Sequence, residues 1–528
     1  MEVASRGSTF PRMIANPAID PATGEVFAET PVTPAGVVAD TVGRARAAQP
    51  GWAARPLSDR QAVITRFQRL FFRHRQDAAA LITRENGKPL AESLLTDVAV
   101  TLDVVRYYLR SAGPVLRPRR IRFGNVAFLG KRGWLHWDPM GVIGIISPWN
   151  YPLLLPFGEL IPALLAGNAV VLKPSEFTTR TALFAVELLH QAGLAPELCQ
   201  VIVGGGDVGA ALIEARPDKI FFTGSARTGR KVAVAAAERL IPVNLELGGS
   251  DPFVVLADAD LTRAARGAVW ARFNNGGQTC AAAKRVIVER TAYQPFLDQL
   301  TGMVNGLRLG PGGTPGSDIG PIIRESQVRE LERQLAASVA LGARVLTGGR
   351  RRPEIGPTFF EPTVLAEVPL EAPVWREEVF GPILPVVPAE SVDEAIRLAN
   401  DTSYGLSASI WTGDRARGEV LARRLEAGAV LVNDATCQVG AVEAPHGGEK
   451  ESGLGRTHGE FGLLETCRPR FVCSDLLDRI GKPWWFRYAA ESLEARDAFL
   501  RFAFAPSLWE RLRAGPQSLR LLFNRWSL

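Results

Sequence analysis

Between Gly141 and Leu172 the chain carries one charged residue, Glu159. A run this apolar has to be buried, and it is long enough to suggest a membrane span. Pro148, Pro152, Pro156 and Pro162 interrupt it, and proline breaks a spanning helix, so buried soluble structure is the better reading. Val142 to Ile146 then reads as a fully buried strand, Pro148-Trp149-Asn150 as a turn, Leu153 to Leu165 as a helix and Ala169 to Leu172 as a second buried strand. That is a βαβ unit of the expected length. The pattern repeats with strand 200–203, helix 208–215, strand 219–222, helix 227–240 and strand 242–247. Strands alternating with helices predict a doubly wound parallel sheet. Beyond residue 250 a second α/β unit is expected, with strands at 253–256, 285–288 and 428–433 and helices such as 326–341 between them.

At 528 residues the chain is expected to form two or three units. A composition of 46% hydrophobic and 22% charged residues fits an ordinary globular enzyme and excludes disordered and fibrous classes. The five cysteines form no CxxC pair and the five histidines are scattered, which points to a reducing compartment and no metal. Residues 1–20 hold no apolar stretch of signal-peptide length, so a cytoplasmic location is the expectation. Of the net charge of +6, +4 falls in the last 48 residues, where eight Lys and Arg face four acids. The rest is nearly neutral, and a nucleic-acid partner has no support.

Single motifs each allow two readings. Cys280 follows Gly276-Gly277-Gln278-Thr279 and is either a buried structural thiol or a nucleophile presented on a tight turn. Asn150 ends a buried strand, where open sheets bind ligands, and is either a turn residue or a donor to a developing oxyanion. Lys173 and Glu176 are either a solvated loop or ligands of a ribose diol. Gly204-Gly205-Gly206-Asp207-Val208-Gly209 fits GxGxxG, but the acidic residue expected about 20 positions on is missing, so it weighs little. Thr223-Gly224-Ser225 is either a phosphate site at a helix start or a plain N-cap. Glu246, flanked by leucines, is either a general base of raised pKa or half of a hidden salt bridge with Lys173 or Arg285.

Taken in order, Pro148-Trp149-Asn150, Lys173-Pro174-Ser175-Glu176, Phe222-Thr223-Gly224-Ser225, Leu245-Glu246-Leu247-Gly248-Gly249, Gly277-Gln278-Thr279-Cys280, Glu377-Glu378-Val379-Phe380-Gly381-Pro382 and Ser452-Gly453-Leu454-Gly455-Arg456 resemble the aldehyde dehydrogenase superfamily from about Asn16 to Ser474. The resemblance implies two Rossmann-like α/β domains and a small β oligomerisation element. Residues 1–115 and 139–248 would form the NAD-binding domain, 249–463 the catalytic domain, 116–138 with 464–475 the bridging strands, and 476–528 a basic aromatic tail.

It also implies roles. Cys280 would attack the aldehyde, Asn150 and the Cys280 N–H would hold the oxyanion, hydride would pass to the nicotinamide, and Glu246 would activate the water that releases the acid. Lys173 and Glu176 resemble the adenosine-ribose ligands, Ser225 a pyrophosphate contact, Gly209 a wall of the adenine pocket, and Glu378 with Phe380 the clamp on the nicotinamide end. Ile146, Pro148, Trp149, Ser175, Gly224 and Leu247 complete the implied cofactor site. A carboxylate at Glu176 favours NAD over NADP, because it would repel a 2′-phosphate; Lys173 and Arg180 nearby would soften that preference.

Three positions depart from the family pattern. Gly158 replaces a bulky aromatic and should widen the substrate funnel, while Glu159 replaces a lysine and Thr457 a glutamate, which removes the usual proton relay behind Glu246. Trp484-Trp485-Phe486, Gly158 and His446-Gly447-Gly448 resemble a branch acting on long apolar aldehydes, including carotenoid-derived ones. An apolar aldehyde of medium to long chain is therefore the expected substrate, and a homodimer or homotetramer the expected assembly. In the tail, Leu519, Leu522, Phe523 and Trp526 follow helical spacing. A basic aromatic helix can lie in a membrane interface through 481–528, or the tail can pack on its own protein.

Two enzymatic rivals stand beside this reading. A CoA-acylating enzyme is disfavoured by the presence of Glu246, and a semialdehyde dehydrogenase for a small acidic substrate would need a cation such as Arg272 or Arg285 near the pocket. A non-catalytic, membrane-associated protein on the same scaffold is disfavoured by intact Cys280, Glu246 and Asn150.

Overall fold

The computed structural model describes residues 14–125, 128, 130–479, 482, 484–485 and 490–520. Leu522, Phe523 and Trp526 of the expected tail helix lie outside the described residues.

The apolar run folds as strand β1 (Val142–Ile146), helix α1 (Leu154–Ala166) and strand β2 (Ala169–Lys173). Both strands are buried at every position, which accounts for their unbroken apolar character. Helix α1 runs on through Pro162, because nearly every residue along it is buried and packing outweighs the lost hydrogen bond. It stops at Gly167, whose φ of 98° provides the left-handed cap. The winding continues through α2 (Thr179–Gln191), β3 (Cys199–Val201), α3 (Gly206–Glu214), β4 (Lys219–Thr223), α4 (Ala226–Ala237) and β5 (Val243–Glu246). In space the strands run β5-β4-β1-β2-β3, all parallel, with Gly453–Leu454 added antiparallel beside β5. The order reverses at β1, so the β1 and β4 ends open onto the crevice where such sheets bind ligands.

A second sheet is built from β6 (Asp251–Val255), β7 (Ala283–Glu289), β8 (Thr363–Ala366), β9 (Ile383–Ala389), β10 (Ser407–Trp411) and β11 (Ala429–Val432). Its order is β8-β9-β7-β6-β10-β11, parallel throughout, with Arg344–Thr347 antiparallel at the β8 edge. Its two faces are covered by separate apolar clusters, one around Trp375 and Leu331, the other around Phe253 and Phe296. By contact density residues 1–115 and 139–467 form one compact unit.

Residues 116–138 and 468–528 form the other. Within it Arg119–Ile121 pairs antiparallel with Lys131–Pro139, and Cys467–Asp475 forms the remaining edge of a three-stranded sheet. Two helices, Ala490–Phe504 and Leu508–Ser518, follow.

Candidate active site

The thiol loop follows helix Leu261–Phe273, and three consecutive residues turn it left-handed: Asn275 (φ 51°), Gly276 (61°) and Gly277 (73°). Gly277 has to be glycine on a second count, since a Cβ there would lie 2.4 Å from the Gly381 oxygen. The turn is pinned from inside. Gln278 Nε2 donates to the Asn275 oxygen (2.9 Å), and its Oε1 accepts from Ile323 N (2.9 Å). Tyr151 Oη bonds Asn274 Oδ1 (2.9 Å) and Thr279 Oγ1 (2.8 Å). Cys280 emerges half-buried at its end. Burial pushes its thiol up to about 12, with Lys284 pulling the other way.

Asn150 reaches the same loop, its Nδ2 donating to the Gln278 oxygen at 3.1 Å. Its own backbone oxygen is held by Asn275 Nδ2 (2.9 Å) and by Lys88 Nζ (2.7 Å). Lys88 is fully buried and pairs at 2.7 Å with Asp97, whose other oxygen accepts from Leu153 N (3.3 Å) and Leu154 N (3.2 Å) at the start of α1. Glu92 accepts from Asn275 N at 2.7 Å. Sequence reading missed this support, whose only signal is three charges spread over a polar helical stretch.

Glu246 ends β5, and neither of its carboxyl oxygens has a hydrogen-bond partner among the described residues. Burial, and then the Glu159 charge, raise its pKa well above the carboxylate range, with Arg456 opposing. The salt-bridge alternative is not what forms: Lys173 lies 3.7 Å from Glu176, and Arg285 donates to the backbone oxygens of Ser250 (2.9 Å), Leu398 (2.9 Å) and Ala399 (2.8 Å). Arg272 Nη2 donates to the Val379 (3.0 Å) and Gly381 oxygens, while its Nε and Nη1 have no partner among the described residues.

Two cavities meet at these residues. The first is lined by Cys280 and Glu246 with Glu159, Thr457, His446 and His458, and by apolar Leu155, Leu406 and Val439. Burial raises Glu159 to about 8, against Thr223 and Lys219, and lowers His446 to about 4 and His458 to about 3. Both imidazoles are neutral at pH 7 as a result, and the Nδ1 of each lacks a partner among the described residues. The cavity holds about 20 Å³, room for a water. The His458 ring lies beside Gly158, where a Cβ would stand 3.4 Å from Nε2, and so takes up part of the space expected to widen the funnel.

The second cavity, of about 290 Å³, brings Cys280, Glu246 and Asn150 together with Trp149, Leu247, Glu378 and Phe380. Phe380 meets Trp149 edge-on at 5.5 Å. It adjoins a cleft of about 670 Å³ lined by Ile146, Pro148, Trp149, Lys173, Ser175, Glu176, Gly209, Gly224 and Ser225. The donor set fits a dinucleotide. Glu176 and Lys173 offer an acceptor and a donor for a diol, the α4 N-terminus offers backbone N–H groups to phosphate, and Gly209 lines the same cleft, where a Cβ would meet the Ile146 and Lys173 side chains at 3.9 Å. The Ser225 hydroxyl also caps α4 through Thr228 N (3.3 Å), so both earlier readings of that residue coexist. Lys231 and Arg324 also line the cleft and were not anticipated.

Residues 13–472 match the model of the aldehyde dehydrogenase family. A putative succinate-semialdehyde dehydrogenase [NADP(+)] of Mycolicibacterium smegmatis is 41% identical over 463 residues, 87% of this chain and 89% of that one. The 4,4′-diapolycopene aldehyde oxidase of a Methylomonas species is 36% identical over 512 residues, 97% and 95% of the two chains. Among solved structures, the NAD+ complex of aldehyde dehydrogenase from Bacillus cereus superposes with a TM-score of 0.84 at 33% identity, covering 88% of this chain and 93% of that one. An NAD-dependent aldehyde dehydrogenase from Sinorhizobium meliloti gives 0.85 at 31%, covering 90% and 93%.

Proposed function

The chain belongs to the aldehyde dehydrogenase family, and from that premise we propose that it oxidises an apolar aldehyde to the carboxylic acid with NAD. The observation that carries this reading is one cavity shared by Cys280, Glu246 and Asn150 and walled by Glu378 and Phe380. Cys280 gives up its proton and its sulfur bonds the carbonyl carbon; the carbonyl oxygen, now an oxyanion, accepts from Asn150 Nδ2 and the Cys280 N–H. The chemistry a bound nicotinamide supplies is acceptance of the hydride from that carbon. Glu246 then takes a proton from the water that attacks the thioester, the C–S bond breaks, and the thiol regains its proton as the acid leaves.

The apolar assignment rests on charge. Of the two cavities that Cys280 lines, the smaller has no Lys or Arg in its lining among the described residues and the larger has Arg324, at the side it shares with the cofactor cleft; Arg272 and Arg285 donate to backbone oxygens. The Methylomonas relative, whose name gives a carotenoid aldehyde, also matches nearly the full chain, tail included. The second reading is an acidic semialdehyde, favoured by the higher identity of the Mycolicibacterium relative. NAD in preference to NADP follows from the Glu176 carboxylate, with Lys173 and Lys231 in the same cleft softening the choice. We further propose a cytoplasmic homodimer or homotetramer, since Cys467–Asp475 is an exposed edge strand of the kind that pairs with another copy.

The test measures NADH and NADPH formation with hexanal, decanal, a long polyene aldehyde and succinic semialdehyde, with Cys280→Ala as control. The expected result is NADH with the apolar aldehydes and none from the variant. Equal turnover by the variant would sink the mechanism, and succinic semialdehyde as the best substrate would replace the apolar reading by the acidic one.

A further inference from the structure

Lys284 takes no part in the steps above. It is the second residue of β7, in a strand otherwise buried and mostly apolar, and its side chain is 1% exposed. A buried ammonium is costly unless it is paired and hydrogen-bonded. Here Nζ donates to the Cys280 backbone oxygen at 2.5 Å and to Glu378 Oε1 at 3.1 Å, and lies 5.7 Å from the centre of the Phe380 ring. The same Glu378 oxygen accepts from Gly249 N at 3.1 Å, three residues beyond Glu246. One cation thus ties the thiol loop to the Glu378 and Phe380 wall and to the loop that leaves the general base.

The charged groups acting on the Cys280 sulfur are Lys284 from β7, Asp251 from β6 and Glu378 from the loop before β9. Glu246 and the Tyr151 hydroxyl face it from the first sheet and the α1 side. Two of the three charges oppose a thiolate, and Lys284 alone favours one. Asp251 is engaged with Ser407 through one oxygen, while its other oxygen has no partner among the described residues.

We propose that Lys284 is a positioning residue of the reaction: its ammonium fixes the Cys280 carbonyl and the Glu378 carboxylate in one geometry, so that the thiolate forms beside a positive charge and the cofactor meets a rigid clamp. The proposal rests on Cys280 being the nucleophile and Glu378 part of the cofactor site, and its test avoids aldehyde turnover altogether. Two readouts serve on the full-length protein without aldehyde. One is the pH dependence of iodoacetamide alkylation at Cys280, resolved from the other four cysteines by peptide mass spectrometry. The other is NADH affinity from its fluorescence.

Lys284→Met keeps the length of the side chain and removes the charge; Lys284→Arg keeps the charge. For Lys284→Met the alkylation rate at a fixed pH below the midpoint should fall by about tenfold, and NADH should bind roughly tenfold more weakly as a charge-assisted contact behind the clamp is lost. Lys284→Arg should recover most of both. Lys284→Gln supplies the same readings if the methionine variant does not fold. Wild-type values for the uncharged variants would overturn the proposal, as would Lys284→Arg failing as fully as Lys284→Met, which would make the role one of shape. A chain that oxidises none of the test aldehydes, yet shows these shifts, would leave Lys284 standing and remove the substrate assignment instead.

Discussion

Burial, and after it the Glu159 charge, hold the Glu246 carboxyl above the ordinary carboxylate range. It becomes a base only as pH climbs through its raised pKa, so the rising limb of steady-state turnover should lie above the ordinary carboxylate range. Glu159→Gln removes the charge that raises it further, and the rising limb of kcat should move to lower pH. Stability answers in the same direction. Glu159 titrates near 8 when folded against 4.5 ordinarily, so its contribution is full below pH 4.5, declines across that window and is gone above it. Glu159→Gln should flatten this part of the decline in urea midpoints measured from pH 5 to 8; an unchanged slope and an unmoved kcat limb would show that Glu159 does not act on Glu246. Glu246→Gln should retain one turnover per site and then stall, with steady-state rates down by about 10²–10⁴. Cys280, Asn150 and Glu246, which line one cavity, could be picked out from the sequence because each belongs to a short motif. His458 was not: it reaches Gly158 from 300 residues away in sequence, through a backbone at φ 59°, ψ 170° that side chains rarely adopt. His458→Ala should open the cavity, raising kcat/KM for decanal relative to propanal by about tenfold, in line with a few added methylenes of accommodation. A chain-length profile identical to wild type would mean that another residue sets the depth.

At the scale of elements, the parallel strands were legible because strands buried on both faces must be apolar at every position, and that pattern survives in the sequence without reference to partners. Strand ends differ from expectation by one or two residues, as at Cys199–Val201 and Val243–Glu246. The helices of residues 35–116 carry no comparable signal, yet they deliver Lys88, Glu92 and Asp97 to the underside of the site. Asp97 lies in a π-helical turn, Ser93–Ala99, that follows Pro89, and no helical spacing relates it to Lys88. Removing one partner of a fully buried ion pair leaves the other charge uncompensated. Lys88→Met should therefore cost about 3–5 kcal/mol of stability and loosen the Asn150 backbone. Against that, Lys88→Met combined with Asp97→Leu should recover much of the stability but not the activity, because Asp97 also caps α1 and Lys88 also holds Asn150. Denaturation midpoints and kcat for the three proteins distinguish this from a simple packing defect, in which both would recover together.

The largest scale concerns what the tail does to the molecule as a whole. No helix among the described residues is long and apolar enough to cross a membrane. Within its own unit the segment after Asp475 is partly seated: Lys482 pairs with Asp475, and Trp484 lies 5.8 Å from Phe128 and within 5.9 Å of Lys131. The helices that follow pack on each other, with Phe502 beside Gly515, yet leave Phe504, Leu508, Trp509 and Leu512 between 60% and 74% exposed. Scattered apolar residues on a surface need no explanation, but a Trp, a Phe and leucines clustered over two short helices do. Arg501, Arg511, Arg513 and Arg520 share those helices or adjoin them, and cations beside exposed aromatic side chains are what binds an anionic lipid surface. The full-length protein should co-sediment with liposomes containing a third phosphatidylglycerol, more weakly as salt rises, while a chain ending at Ser474 should stay in the supernatant. Trp509→Ala with Leu512→Ala should release most of the bound protein without altering hexanal oxidation. Identical sedimentation of the full and shortened chains would assign the apolar face to a protein partner or a second copy. The comparison matters for function, because an aldehyde dissolved in lipid reaches Cys280 more readily in an enzyme held at the lipid surface, and the gain should appear as a lower KM for decanal, not hexanal, when liposomes are present.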